Sequence, residues 1–165
     1  MQDYVTALLQ DIESAIPALL AIGDEASARR PGPGKWSPRE IIGHLIDSAS
    51  NNHGRFVRGQ DASELMFAGY DQNAWVAVQR YQDSPWSELV TLWANFNRHL
   101  AQVMAAAPVA ARTRSHARHN LDEIGWRPFA PQEPATLDDL MRDYVAHLEH
   151  HVQQILGAAW RSDVR

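Results

Sequence analysis

Four long stretches of this chain repeat apolar side chains every three to four residues, and each is bounded by proline, glycine or a capping residue. The first covers about Asp3 to Ile22, with Tyr4, Leu8, Ile12, Ile16 and Leu19/Leu20 along one face. The second opens at Ser37-Pro38-Arg39-Glu40, a capping box with proline in the first helical position, and runs to about Arg58. The third follows the Ser84-Pro85 cap and ends near Ala107, before Pro108; the fourth is capped at Thr136-Leu137-Asp138-Asp139 and reaches about Trp160. Arg30-Pro31-Gly32-Pro33-Gly34 excludes regular structure between the first two. A short helix is expected near Asp71–Tyr81, and residues 108–135, carrying Pro128, Pro131 and Pro134, read as mostly irregular. No segment alternates in the manner of a strand. The fold class is therefore all-α: a four-helix bundle with a short extra helix and a long loop before the last helix, in one domain over residues 1–165.

Charge and composition narrow the function classes. A formal charge of −5 argues against nucleic acid as a partner, and the basic stretch Arg112 to Arg118, without interleaved aromatics, reads as a solvated loop. There is no unbroken run of about 18 apolar residues, and Met1-Gln2-Asp3-Tyr4 lacks a basic segment leading into an apolar one, so a cytoplasmic protein without a membrane partner is expected. The chain has no cysteine, which removes disulfides, thiolate ligands and a nucleophilic thiol. Any metal falls to His, Asp or Glu, and any sulfur chemistry must use a thiol from the substrate.

The eight histidines therefore carry the argument. His147 and His151 are four apart within the last periodic stretch, which places two imidazoles on one helical face with Cβ atoms about 5–6 Å apart. At 100° per residue the apolar sector holds Leu137, Met141, Tyr144, Leu148, Val152 and Ile155. His151 falls just inside that sector and His147 at its edge, whereas His150 points outward beside Asp143 and Gln154. In the second helix Ile41, Leu45, Ala49 and Phe56 form the apolar face, flanked by a polar stripe of His44, Asp47, Ser48, Asn51 and Arg55. Asp47, three residues from His44, is placed to orient that imidazole or a metal-held water. Both His44 and His99 qualify as a third ligand, with geometry modestly favouring His44.

Simpler explanations compete. A histidine pair at this spacing is more often structural than metallic, and the stripe from His44 to Arg55 also fits a hydrogen-bonded seam between helices. Trp75, Trp86, Trp93 and Tyr144 read as core packing; His53, His116 and His119 fall in no constellation. There is no His-Glu-x-x-His, and the two Glu-x-x-His motifs of a di-iron bundle are missing, since Val152 stands three residues after Glu149. Three histidines with an open position, the pattern of a catalytic metal site, survive these exclusions.

Several blocks resemble the DinB-like superfamily, and within it the YfiT-like branch. They are Lys35-Trp36-Ser37, His44-Leu45-Ile46-Asp47-Ser48, Asn51, Arg55-Phe56, Tyr70-Asp71 with Trp75, and Tyr144-Val145-Ala146-His147-Leu148-Glu149-His150-His151 with Ile155. They recur in family order over residues 30–156. The resemblance implies a four-helix bundle holding one divalent metal ion (zinc, nickel or iron) on His44, His147 and His151. It further implies a homodimer, acting either as a metal-dependent hydrolase or as a transferase that joins a small-molecule thiol such as bacillithiol or mycothiol to an electrophile. In the transferase reading Asp47 orients a ligand or accepts the thiol proton, and Arg55 or Asn51 holds an anionic part of the thiol. A non-catalytic, metal-stabilised bundle that binds a partner during stress is the alternative outside enzymes. Two positions depart from the family pattern: Ala49 stands where relatives tend to carry histidine, and Ala130-Pro131 replaces a His-Pro. Neither is one of the three ligands.

Overall fold

The computed structural model describes residues 2–157 and Trp160. Its four long helices are α1 (Asp3–Ile22), α3 (Pro38–Gly59), α5 (Trp86–Ala106) and α8 (Leu137–Leu156). Shorter ones lie between them: α2 (Asp24–Ser27), α4 (Gln72–Gln79), α6 (Val109–Arg112) and α7 (Leu121–Ile124), with a 3₁₀ turn at Tyr81–Asp83. Among the described residues only two isolated β-bridges occur, Leu65 with His119 and His116 with Ala135.

The start signals act mostly as expected. Ser37 accepts from the Glu40 amide at 3.3 Å while the Glu40 carboxylate accepts from the Ser37 amide at 2.9 Å. Thr136 and Asp139 make the same reciprocal pair at the head of α8. Ser84 does not cap α5. The carboxylate of Asp24, from the unforeseen helix α2, accepts from the Trp86 amide at 3.0 Å instead. The last helix ends at Leu156, where Gly157 adopts φ 82°, a backbone conformation that favours glycine. The expected continuation through 158 and 159 lies outside the described residues.

α1 and α3 each pack on both α5 and α8, so these two consecutive long helices stand at opposite corners of the bundle. Leu8, Ile12 and Leu19 of α1, Ile42, Leu45 and Phe56 of α3, Trp93 and Leu100 of α5, and Leu148 and Val152 of α8 fill the centre. Burying a side chain of this size contributes about 1.5–3 kcal/mol. By length and composition α1 would suffice to cross a membrane, with mean hydropathy 1.5, a property the count of consecutive apolar residues did not reveal. Its apolar face is covered by α5 and α8.

Four expectations change. Trp75 is not a core residue: it is 37% exposed and lies against Tyr70, with ring centroids 5.0 Å apart. Asp143, read as outward-facing, is buried, because the segment before α8 folds over it. That segment is also less irregular than predicted, being fixed by the two histidines that had no role. His116 pairs its backbone with Ala135 at 2.8 and 3.0 Å and sets Nδ1 3.1 Å from the Ser63 carbonyl. The His119 ring bridges the Glu133 carbonyl (2.8 Å) and the Leu121 amide (3.2 Å). The Asn120 side-chain amide grips both backbone groups of Phe67. Within the basic stretch, Arg112 is held by Asp138 at 2.8 Å and is largely covered rather than solvated.

Candidate metal centre

α3 and α8 are neighbours, and their facing polar positions meet at one point. One ring nitrogen from each of His44, His147 and His151 lies within 4.8 Å of the other two. His44 is buried and the other two are half-buried. The Nε2 atoms of His44 and His147 are 3.1 Å apart. At the ordinary zinc–imidazole distance of about 2.0–2.1 Å, this separation corresponds to an angle of about 100° at a shared ion. The opposite ring nitrogens agree with that direction. His151 Nδ1 is 2.9 Å from Gln154 Oε1 and His147 Nδ1 is 3.5 Å from Ser48 Oγ. If Nδ1–H of His151 donates to Gln154, its Nε2 lone pair is left free.

Burial sets the protonation state. Desolvation pushes His44 down to about 4 and His147 down to about 2; the surrounding imidazoles add to both effects. His151 is lowered as well, chiefly by burial. All three are therefore neutral near pH 7, each with a nitrogen lone pair available without first losing a proton. Three imidazoles from two rigid helices fit a divalent ion of the zinc, nickel, iron or copper type, and a three-ligand set leaves a position open for a reactant.

His44 and His147 line a cavity of about 380 Å³, bounded also by Ser48, Asn52, Arg55, Tyr70, Glu123 and Trp126. Trp36 packs on His44 with ring centroids 5.1 Å apart, and Trp126 sits 6.3 Å from His147 and 5.2 Å from His150. Trp126 is held there by Asp143, whose carboxylate accepts from the Trp126 and Arg127 amides, both at 2.8 Å. Neither Trp126 nor the fastening role of Asp143 was legible beforehand, since both depend on a loop folding back over α8.

The remaining candidates separate. His99 is not near the cluster; it pairs with His53 at 5.3 Å between ring centroids. His150 is exposed, as its helical position predicted. Arg55 reaches the cavity, but Asn51 does not: its amide donates to the Asp47 carbonyl at 2.9 Å, and Asn52 lines the wall in its place. Asp47 is buried behind the cavity wall, where its Oδ1 accepts from Tyr81 at 2.6 Å and from Gln79. Its Oδ2 and the His44 Nδ1 atom are both buried without a hydrogen-bond partner. Burial raises the Asp47 carboxyl to about 6, against the lowering effect of the Tyr81 bond.

Comparison with known proteins follows this geometry. A family model of the DinB superfamily matches residues 7–155, and the chain belongs to that superfamily. Its fold is similar to that of YfiT from Bacillus subtilis, with a TM-score of 0.75 over 99% of this chain and 90% of that one, at 18% identity. YfiT is described as a probable metal-dependent hydrolase with an unusual four-helix bundle topology. No curated protein matches the chain in sequence.

Proposed function

We propose that the protein is a metal-dependent enzyme that joins a low-molecular-weight thiol to an electrophilic substrate, with one zinc, nickel or iron ion held by His44, His147 and His151. The observation that supports this most is the convergence of three neutral imidazoles from two packed helices, two of which, His44 and His147, line a cavity of small-molecule size. A divalent ion there supplies Lewis acidity, which favours the deprotonated form of a thiol or water.

The chain's own residues define the rest. Trp36 and Trp126 flank the histidines and restrict water around them. In the transfer step the substrate sulfur forms a carbon–sulfur bond while the leaving group departs with its electron pair; the thiol proton passes to solvent through the open side of the cavity. Asp47 lies behind the wall, so its role is to position α3 around His44 rather than to take that proton directly. The chain brings no cysteine of its own to compete for the ion. Hydrolysis is the second reading, favoured by the description of the B. subtilis neighbour. It uses the same three histidines with water in place of the thiol.

The test is metal analysis of untagged protein prepared without chelators, followed by incubation with a chloronitrobenzene electrophile, with and without small thiols. The expected result is one ion per chain and thiol-dependent conjugation, both lost in His147→Ala. Turnover of ester or amide substrates without thiol selects the hydrolytic reading. Failure to take up any divalent ion overturns both.

A further inference from the structure

Among the described residues, Arg55 is a buried cation without a counter-charge at ion-pair distance. Other largely covered arginines are paired: Arg39 with Asp24 at 2.7 Å and Arg112 with Asp138 at 2.8 Å. Arg55 is 4% exposed, and among the described residues its partners are neutral. Its Nη1 donates to Asn52 Oδ1 at 3.3 Å and its Nη2 to the Ala68 carbonyl at 2.9 Å. A guanidinium carries five N–H groups, so most of its donor capacity is unmet. Two carboxylates line the same cavity, but neither lies within ion-pair distance of Arg55: Asp143 is engaged with the 126–127 backbone, and Glu123 lies 3.5 Å from the Asn120 amide. An unpaired buried charge destabilises a protein, and one that lines a cavity is a receptor for an ion of opposite sign.

We propose that Arg55 binds the carboxylate of an elongated small substrate whose other end reaches the three histidines. For that far end the inference rests on the metal reading above; for Arg55 itself it does not.

Charge selects the ligand. Among the described residues the cavity lining carries one cation outside any ion pair, Arg55, beside Glu123 and an Asp143 already paired with Arg127 at 3.3 Å. The single uncompensated guanidinium matches one negative charge, whereas the second charge of a phosphate dianion would face Glu123. The planar guanidinium also matches a carboxylate's two oxygens. Length selects it further. Arg55 lies eleven residues beyond His44 on the same helix, about 16 Å along the axis. Long helical side chains lean back toward the N-terminus, which leaves a gap on the order of 10 Å. An extended chain advances about 1.2 Å per bond, so the carboxylate sits roughly eight bonds from the reacting atom. A carboxylate only two or three bonds from a thiol is too short to engage both ends. Asn52 and Ser48 lie between the two ends: Asn52 Nδ2 is 3.3 Å from Ser48 Oγ, which in turn approaches His147 Nδ1.

The test is calorimetric titration of the metal-free protein with octanoate and with octanamide, for the wild type, Arg55→Gln and Arg55→Lys. Octanoate is expected to bind the wild type about tenfold or more tightly than octanamide. Arg55→Gln removes that preference, and Arg55→Lys retains part of it. Equal binding of the two probes to wild type overturns the proposal, as does an undiminished preference in Arg55→Gln. Efficient displacement of octanoate by inorganic phosphate overturns the choice of carboxylate. If Arg55→Gln fails to fold, the wild-type preference and its reduction in Arg55→Lys decide the matter. No ion is present in these titrations, so they stand even if the metal reading fails.

Zinc-loaded protein then distinguishes the carboxylate's source. If it belongs to the thiol-bearing molecule, 8-mercaptooctanoate binds more tightly than octanoate whereas 3-mercaptopropionate does not. If it belongs to the second substrate, octanoate and 2-mercaptoethanol bind together without competing.

Discussion

Gly43 stands one residue before His44 in the interior of α3, and replacing it with alanine sets two effects against each other. Intrinsic helix preference favours Gly43→Ala by about 0.5–1 kcal/mol. Packing opposes it. An added Cβ falls 2.0 Å from Tyr81 Cδ2 and 2.3 Å from its Cγ, inside the ring and close to its root. Tyr81 has little freedom to retreat, because it is buried within the 3₁₀ turn and its hydroxyl is fixed on Asp47. Overpacking costs about 1–3 kcal/mol; loss of a hydrogen bond to a charged group costs about 1.5–3 kcal/mol. The expected net loss is about 2–4 kcal/mol. Gly54→Ala in the same helix is the control. Its Cβ meets only the guanidinium end of the exposed Arg58 side chain, 2.9 Å away, so propensity wins and the variant gains about 0.5–1 kcal/mol. Urea denaturation followed by far-ultraviolet circular dichroism reads both values. In a Tyr81→Ala background the Gly43→Ala penalty should vanish. A Gly43→Ala protein as stable as Gly54→Ala would refute the reasoning.

Three further outcomes are expected. Below pH 6.5 the unfolded metal-free chain takes up protons that the folded His44 and His147 refuse, so stability present at pH 7 is lost as pH falls through about 4 and about 2 respectively. Each histidine contributes a slope of up to about 1.4 kcal/mol per pH unit. Asp47, raised to about 6, runs the other way and softens the loss between pH 6 and 3.8; a flat stability profile from pH 7 to 4.5 would contradict this balance. Asp143→Ala should release the turn at residues 125–127, raising amide exchange at Trp126 and Arg127 while α8 stays protected; unchanged exchange there would show that other contacts hold the turn. Saturating zinc at about one hundred times its dissociation constant should stabilise the wild type by about 2.7 kcal/mol, seen as a higher melting temperature, and should leave His147→Ala unmoved.

The parts that could be read from the sequence were those with local causes. Caps at Ser37 and Thr136 and the apolar periodicity placed the long helices within a residue or two, because capping and amphipathicity act over one turn, except that the last stops at Leu156 rather than near Trp160. Ser84 failed as a cap because its competitor, Asp24, is distant in sequence. His147 and His151 are fixed by one helix, so their pairing was legible; helical position favoured His44 over His99 only modestly. The resemblance sharpened that choice, and the packing of α3 on α8 shows His44 and not His99 beside them. Trp126, Asp143 and the substitution of Asn52 for Asn51 in the cavity wall lay beyond the reach of periodicity. They depend on a loop whose course is set by His116, His119 and Asn120 bonding to backbone far away.

His44 and His147 lie 103 residues apart along the chain. An ion gripped by both would clasp shut a loop of that length, acting as a reversible crosslink between two helices that do not follow one another. During synthesis α3 emerges long before α8, and for that interval the first imidazole has no companions. Loading with metal would therefore be an event of the finished bundle, and the bound ion would hold α3 and α8 together against any unfolding that begins by parting them.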